Sequence, residues 1–141
     1  MTEVFFYTHA DDKLQTACTL AAKALGKGMR AMLYTPDAAT SDRLSRLLWS
    51  LPATGFVPHC RANDRLAAVT PIIVDHLAEP LVHDQVLFNL RDETPAFFSR
   101  FTRLVEIVGR DEADVTSART RFRFYRDRGY QIHTHALASR G

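Results

Sequence analysis

Several residues in this chain have types and spacings that could support chemistry, beginning with two histidines near its end. His133 and His135 are two apart, so on a strand both imidazoles would project from one face and could share a metal ion. No third ligand accompanies them. Cys18 and Cys60 have neither a CxxC partner nor a histidine at ligand spacing, which makes them reduced structural thiols rather than zinc ligands. The loop Thr8-His9-Ala10-Asp11-Asp12 stands where a nucleotide-binding protein would carry a glycine-rich phosphate cradle. It contains no glycine, and two aspartates at a helix start would repel an anion. Serine, histidine and aspartate occur without a nucleophile-elbow motif to position them. Hence no catalytic set, metal or cofactor is expected.

Binding chemistry is better represented. The stretch Arg119 to Arg128 holds five arginines and one aspartate. The whole chain has 18 Lys plus Arg against 16 Asp plus Glu, a net charge of only +2, so this positive potential is local. Arg119, Arg123 and Arg126 recur beside the apolar helical stripe Val115, Ala118, Phe122 and Tyr125. A guanidinium forks a carboxylate while a neighbouring ring buries a hydrophobic group, which suits an acidic peptide with an apolar end. A solvated helix face is one alternative. Another is direct single-stranded nucleic-acid binding, with Phe122, Phe124 and Tyr125 as stacking surfaces. A second grouping, Trp49, Pro52, Phe56, Val57 and Pro58, contains the only tryptophan. It reads either as a rigid apolar docking patch or as a core-lining turn.

The elements that must position these groups follow from periodicity. At 141 residues with 46% hydrophobic and 24% charged residues, one globular domain spanning the chain is expected. Val4 to Tyr7 predicts a buried strand, and Leu14, Cys18, Ala21 and Leu25 predict an amphipathic helix from Asp12 to Lys27. Arg30 to Tyr34 predicts a second strand. Leu44, Leu47, Leu48 and Leu51 predict a second helix introduced by Thr40 or Ser41. Phe56 to Cys60, Pro71 to His76 and Gln85 to Leu90 are further strand candidates, at least two of which should extend the same sheet. Thr94-Pro95 resembles a helix start before Phe97, Phe98 and Phe101. Leu104 to Val108 predicts a buried strand. A last helix from Asp111 or Asp114 to about Arg128, ended by Gly129, precedes a closing strand from Tyr130 to His135. The alternation predicts an α/β fold, a largely parallel sheet flanked by helices. The N-terminus lacks a signal-like stretch and no run is long enough for a membrane span, so a cytoplasmic location and no membrane contact are expected.

Two segments also carry a family resemblance. Leu48-Trp49-Ser50-Leu51-Pro52-Ala53-Thr54-Gly55-Phe56-Val57-Pro58-His59 resembles the LW..P...FVPH signature of the bacterial DNA polymerase III chi family. Arg119 to Tyr130, RTRFRFYRDRGY, is similar to that family's final helix and its exit, R-[YF]-[KR]-x-Y-R-x-x-G-[FY]. The segment from Arg61 to Val86 resembles the family only weakly. The resemblance implies a Rossmann-like fold without a phosphate-binding loop, and a non-catalytic subunit of a DNA-directed DNA polymerase assembly. It implies a psi-subunit site at Trp49, Pro52, Phe56, Val57 and Pro58, linking the chain to the clamp loader. It further implies a site at Val108, Arg119, Phe122, Arg123 and Arg126 for the acidic C-terminal tail of single-stranded-DNA-binding protein, so that DNA is met mainly indirectly. Val115 stands one turn before Arg119, where this family can place a basic residue.

Overall fold

The structure is a computed structural model that describes residues 1–50 and 57–138. Its strands are β1 (Glu3–Ala10), β2 (Ala31–Tyr34), β3 (His59–Cys60), β4 (Ile72–Asp75), β5 (Val86–Asn89), β6 (Arg103–Gly109) and β7 (Ile132–Ala136). Its α-helices are α1 (Lys13–Gly26), α2 (Ala38–Ser50) and α3 (Glu112–Asp127). The strands form one sheet in the order β3-β4-β2-β5-β6-β1-β7. Every pairing is parallel. The expected α/β class therefore holds, and all three mid-chain strand candidates contribute to the sheet.

Parallel strands with helices on both faces are buried on both sides, which is why β2, β4 and β5 read as continuous apolar runs. One core lies between the sheet and α1 and α2, and includes Ala17, Cys18, Leu44, Leu48, Leu33, Phe88 and Ile107. The other joins the sheet to α3 through Val4, Phe6, Leu87, Leu104, Val108, Ala118 and Tyr125. Alternation along β1 accordingly sends Phe6 toward α3, and Phe5 and Tyr7 toward α1.

Asp12 caps α1 by accepting from the backbone N–H groups of Leu14 and Gln15, at 3.1 and 3.2 Å. The cap of α2 differs from expectation. Asp37 accepts from the Thr40 N–H at 2.7 Å, while Thr40 and Ser41 lie inside the helix and are buried. An aspartate three residues ahead reaches an unpaired first-turn N–H, and Ser41 instead shares a 2.6 Å hydrogen bond with Thr35.

The segment after Thr94-Pro95 also departs from expectation, forming one 3-10 turn at Phe98–Arg100 instead of an α-helix. Phe98 and Phe101 are both buried. Both rings pack into the core on the α3 side, Phe98 edge-on to Tyr125 with centroids 5.2 Å apart, so tertiary burial overrides the local helix-start signal.

Helix α3 starts after Asp111, and its exit bends through Gly129 at φ +81. There the Tyr130 N–H donates to the Tyr125 carbonyl at 3.1 Å.

Candidate functional site

Helix α1 leaves β1 toward β2, whereas α3 leaves β6 over the other face toward β7. The carboxyl ends of neighbouring β1 and β6 thus flank a topological switch point, where parallel α/β sheets open a crevice. A cavity of about 450 Å³ occupies it. Phe6, Val108, Val115, Ala118 and Phe122 form its apolar walls, and Thr8, His9, Arg110, Arg119 and Thr134 its polar lining. Phe6 and Phe122 meet with ring centroids 5.4 Å apart and planes tilted by 58°.

The polar rim is locally specified. His9 adopts φ 63, a left-handed conformation uncommon outside glycine, and its Nδ1 lies 2.8 Å from Thr8 Oγ1. Arg110 Nε donates to Asp11 at 2.7 Å, tying the loop after β6 to the loop after β1. Asp114 accepts from the Gly109 N–H at 2.7 Å and from Lys13 Nζ at 3.0 Å, which anchors the start of α3 to both β6 and α1. No carboxylate lines the pocket, and Arg119 is exposed with no ion pair among the described residues. An anionic group entering here would therefore meet an available guanidinium beside apolar rings.

The register of α3 is set beneath the pocket by a buried polar cluster. The carboxylate of Glu106, fully buried in β6, accepts from Arg121 Nε at 3.1 Å, Tyr125 OH at 2.6 Å and Asn89 Nδ2 at 3.1 Å. Arg121 also donates to the Asp92 carbonyl at 2.8 Å and to Ser117 Oγ at 2.6 Å. Burial pushes the Glu106 carboxyl above its usual range, and Arg121, Tyr125 and Asn89 pull against that shift. Burial, and after it the Glu106 charge, pushes the Tyr125 phenol upward.

This cluster corrects one expectation. Arg121 contributes nothing to a positive surface, because it is 3% exposed and neutralises a buried acid. The inward stripe of α3 includes Arg121 beside Ala118 and Tyr125. The signal was a lone glutamate in the otherwise apolar run LVEIV, which requires a buried cationic partner.

Of the five α3-side candidates, the structure brings Val108, Arg119 and Phe122 together in the pocket. Arg123 and Arg126 are exposed and lie outside its lining, and Arg126 pairs with Asp127 at 3.2 Å. His9, Arg110 and Thr134 are pocket residues that sequence reasoning missed, since the topology alone brings the ends of β1, β6 and β7 together.

At the second grouping, Trp49 is 65% exposed at the end of α2 and packs edge-on against His59 with centroids 5.5 Å apart. His59 is fixed in turn by Ser45 Oγ at 2.9 Å and the Val57 carbonyl at 2.8 Å. Pro58 is half-buried, while Val57 is 1% exposed and belongs to the core with Leu44 and Leu48. Val57 therefore supports this patch from beneath instead of lining it. Pro52 and Phe56 lie outside the described residues.

The two histidines of β7 have local partners. His133 Nε2 lies 2.9 Å from Glu3 and its ring stacks on Phe5, while His135 stacks on Tyr7. No group of three metal-ligating side chains occurs among the described residues. No described helix is long and apolar enough to cross a membrane.

Fold and site together define a parallel α/β scaffold whose switch-point crevice is apolar and arginine-rimmed and lacks a glycine cradle. The chain belongs to the family described as DNA polymerase III chi subunit, HolC, which it matches over residues 1–133. It is 38% identical to the DNA polymerase III subunit chi of Pseudomonas aeruginosa, over 97% of this chain and 98% of that protein. It is also similar to the subunits chi of Haemophilus influenzae, 30% identical over 85% of this chain and 84% of that protein, and Escherichia coli, 29% over 85% and 82%.

Proposed function

We propose that this chain is a non-catalytic accessory subunit of a DNA polymerase III assembly, bridging the clamp loader to single-stranded-DNA-binding protein during replication. The observation that carries this reading is the convergence of Val108, Arg119 and Phe122 on one apolar pocket with an unpaired guanidinium at its mouth. An acidic tail ending in Pro-Phe matches it feature by feature. The terminal ring fills the space between Val108 and Phe122, and its burial contributes roughly 2–3 kcal/mol. The terminal carboxylate pairs with Arg119. Exposed Arg123 and Arg126 face the solvent beyond the pocket and steer the tail's aspartates.

The exposed Trp49, braced by His59, together with the half-buried Pro58 is the psi-facing patch on this reading, which leaves the tail pocket free. DNA is reached mainly through the tail's owner. The test is fluorescence anisotropy with a labelled acidic peptide ending in Asp-Ile-Pro-Phe. Wild type should bind in a salt-sensitive way. Arg119→Ala, or deletion of the peptide's last Phe, should weaken binding at least tenfold, about 1.4 kcal/mol. Unchanged binding by Arg119→Ala would place the site elsewhere, and no binding by wild type would overturn the tail reading.

A further inference from the structure

Among the described residues three α-helices cover the seven-stranded sheet, and on the α1 face the edge formed by β1 and β7 is incompletely covered. Phe5, Tyr7 and His133 are half-buried there, and His135 is exposed. The Phe5 ring lies between the Arg103 guanidinium, 5.6 Å from its centroid, and the His133 ring at 4.8 Å and 20°. Tyr7 and His135 form a second stack at 5.2 Å and 23°. No described strand lies beyond β7, so the two imidazoles end these stacks at the sheet edge. They stand about 6.6 Å apart along the strand, two residues at roughly 3.3 Å each.

Beside the rings, Lys23, Lys27 and Arg103 line a shallow cleft of about 120 Å³ over Phe5, Tyr7 and Met29, with no carboxylate in its lining. None of the three cations has an ion-pair partner among the described residues. The opposing charges are Glu3, which engages His133, Asp11 and Asp12, which share a neighbouring pocket with Lys23, and the carbonyl end of α1, whose partial negative charge is smaller in magnitude than the positive charge of two lysines.

The geometry points to this face as a docking surface for single-stranded nucleic acid, separate from the pocket under α3. Bases stack on the outer faces of His133 and His135, and Lys23, Lys27 and Arg103 take the phosphates. Ring systems on an open sheet flanked by cations are a general solution for single strands, because every base has a π-face. An acidic peptide fits less well, since the cleft is too small to seat an anchoring side chain of the kind the 450 Å³ pocket accepts. The inference does not depend on the tail reading, and the two surfaces lie on opposite sheet faces.

The experiment is anisotropy of a labelled oligothymidylate with the full chain at 50 and 200 mM salt. With three phosphates neutralised, affinity should fall about 20-fold between those salts. Lys23→Glu with Lys27→Glu should weaken binding at least tenfold. His133→Ala with His135→Ala should weaken it about tenfold, with far-UV circular dichroism confirming that each variant is folded. Arg119→Ala should leave oligonucleotide binding unchanged while reducing tail-peptide binding. The proposal is overturned if wild type fails to bind at 50 mM salt, or if Arg119→Ala abolishes binding and the lysine pair does not. Displacement of the oligonucleotide by an acidic peptide in the Arg119→Ala background would overturn it too, by assigning the surface to a protein partner.

Discussion

Replacing Arg121 by methionine keeps most of its apolar stem but removes the guanidinium that neutralises Glu106. The ion pair is 3.1 Å long, with the two side chains 3% and 0% exposed, so water cannot substitute for the lost charge. Breaking such a pair by deleting one partner destabilises by about 3–5 kcal/mol. For a chain of 141 residues this corresponds to a melting temperature lower by roughly 10–15 °C, at about 3 °C per kcal/mol. Glu106→Leu should do similar damage by orphaning the guanidinium. The double variant Glu106→Leu/Arg121→Met removes both charges and retains the Asn89 bond to the Glu93 carbonyl at 3.0 Å, so it should lose at least about 2 kcal/mol less than the two single losses summed. A pH dependence follows. Without Arg121 the buried Glu106 carboxyl rises further above its unfolded value of 4.5. A raised folded-state value means stability is fully present below the unfolded value and is lost as pH rises through the folded one. Arg121→Met should accordingly be more stable at pH 5 than at pH 8. Urea unfolding at both pH values, on wild type and the three variants, measures all of this. A single-variant loss under about 1 kcal/mol, or strict additivity in the double variant, would refute the view that this pair fixes α3 on β6.

The remaining expectations concern local chemistry. Burial pushes the Cys18 thiol up to about 12, so a thiol reagent should label the half-buried Cys60 in the native protein and reach Cys18 only on unfolding, as mass spectrometry of the modified peptides would show. Asp12→Ala removes the side-chain cap of α1 and should lower stability by about 1 kcal/mol in urea unfolding. Hydrogen bonds from Thr40 hold the Asp37 carboxyl below its usual value, so its contribution is present above about pH 4 and is lost as pH falls through the folded value. Asp37→Asn should flatten that part of the acid limb, measured as stability against pH between 2 and 5.

The α/β class was legible in the sequence because secondary structure there follows from local periodicity. The α1 stripe, the apolar β2 and β5 runs, and the Gly129 stop each depend on residues close together in the chain. Misreadings arose where a local signal competed with a longer-range demand. Thr40 and Ser41 had cap chemistry, but Asp37 was better placed. Pro95 had helix-start chemistry, but burial of Phe98 and Phe101 in the core on the α3 side left only one 3-10 turn.

Charge followed the same division. The sequence determined that an arginine-rich helix would carry Phe122 beside Arg119, since both lie on one element at fixed helical spacing. Only the tertiary structure decided that Arg121 turns inward to Glu106, that Val57 joins the core, and that His9, Arg110 and Thr134 complete the pocket. The completion of the pocket rests on parallel pairing among β1, β6 and β7, residues about a hundred positions apart, and a local pattern carries no record of which strand will lie beside which.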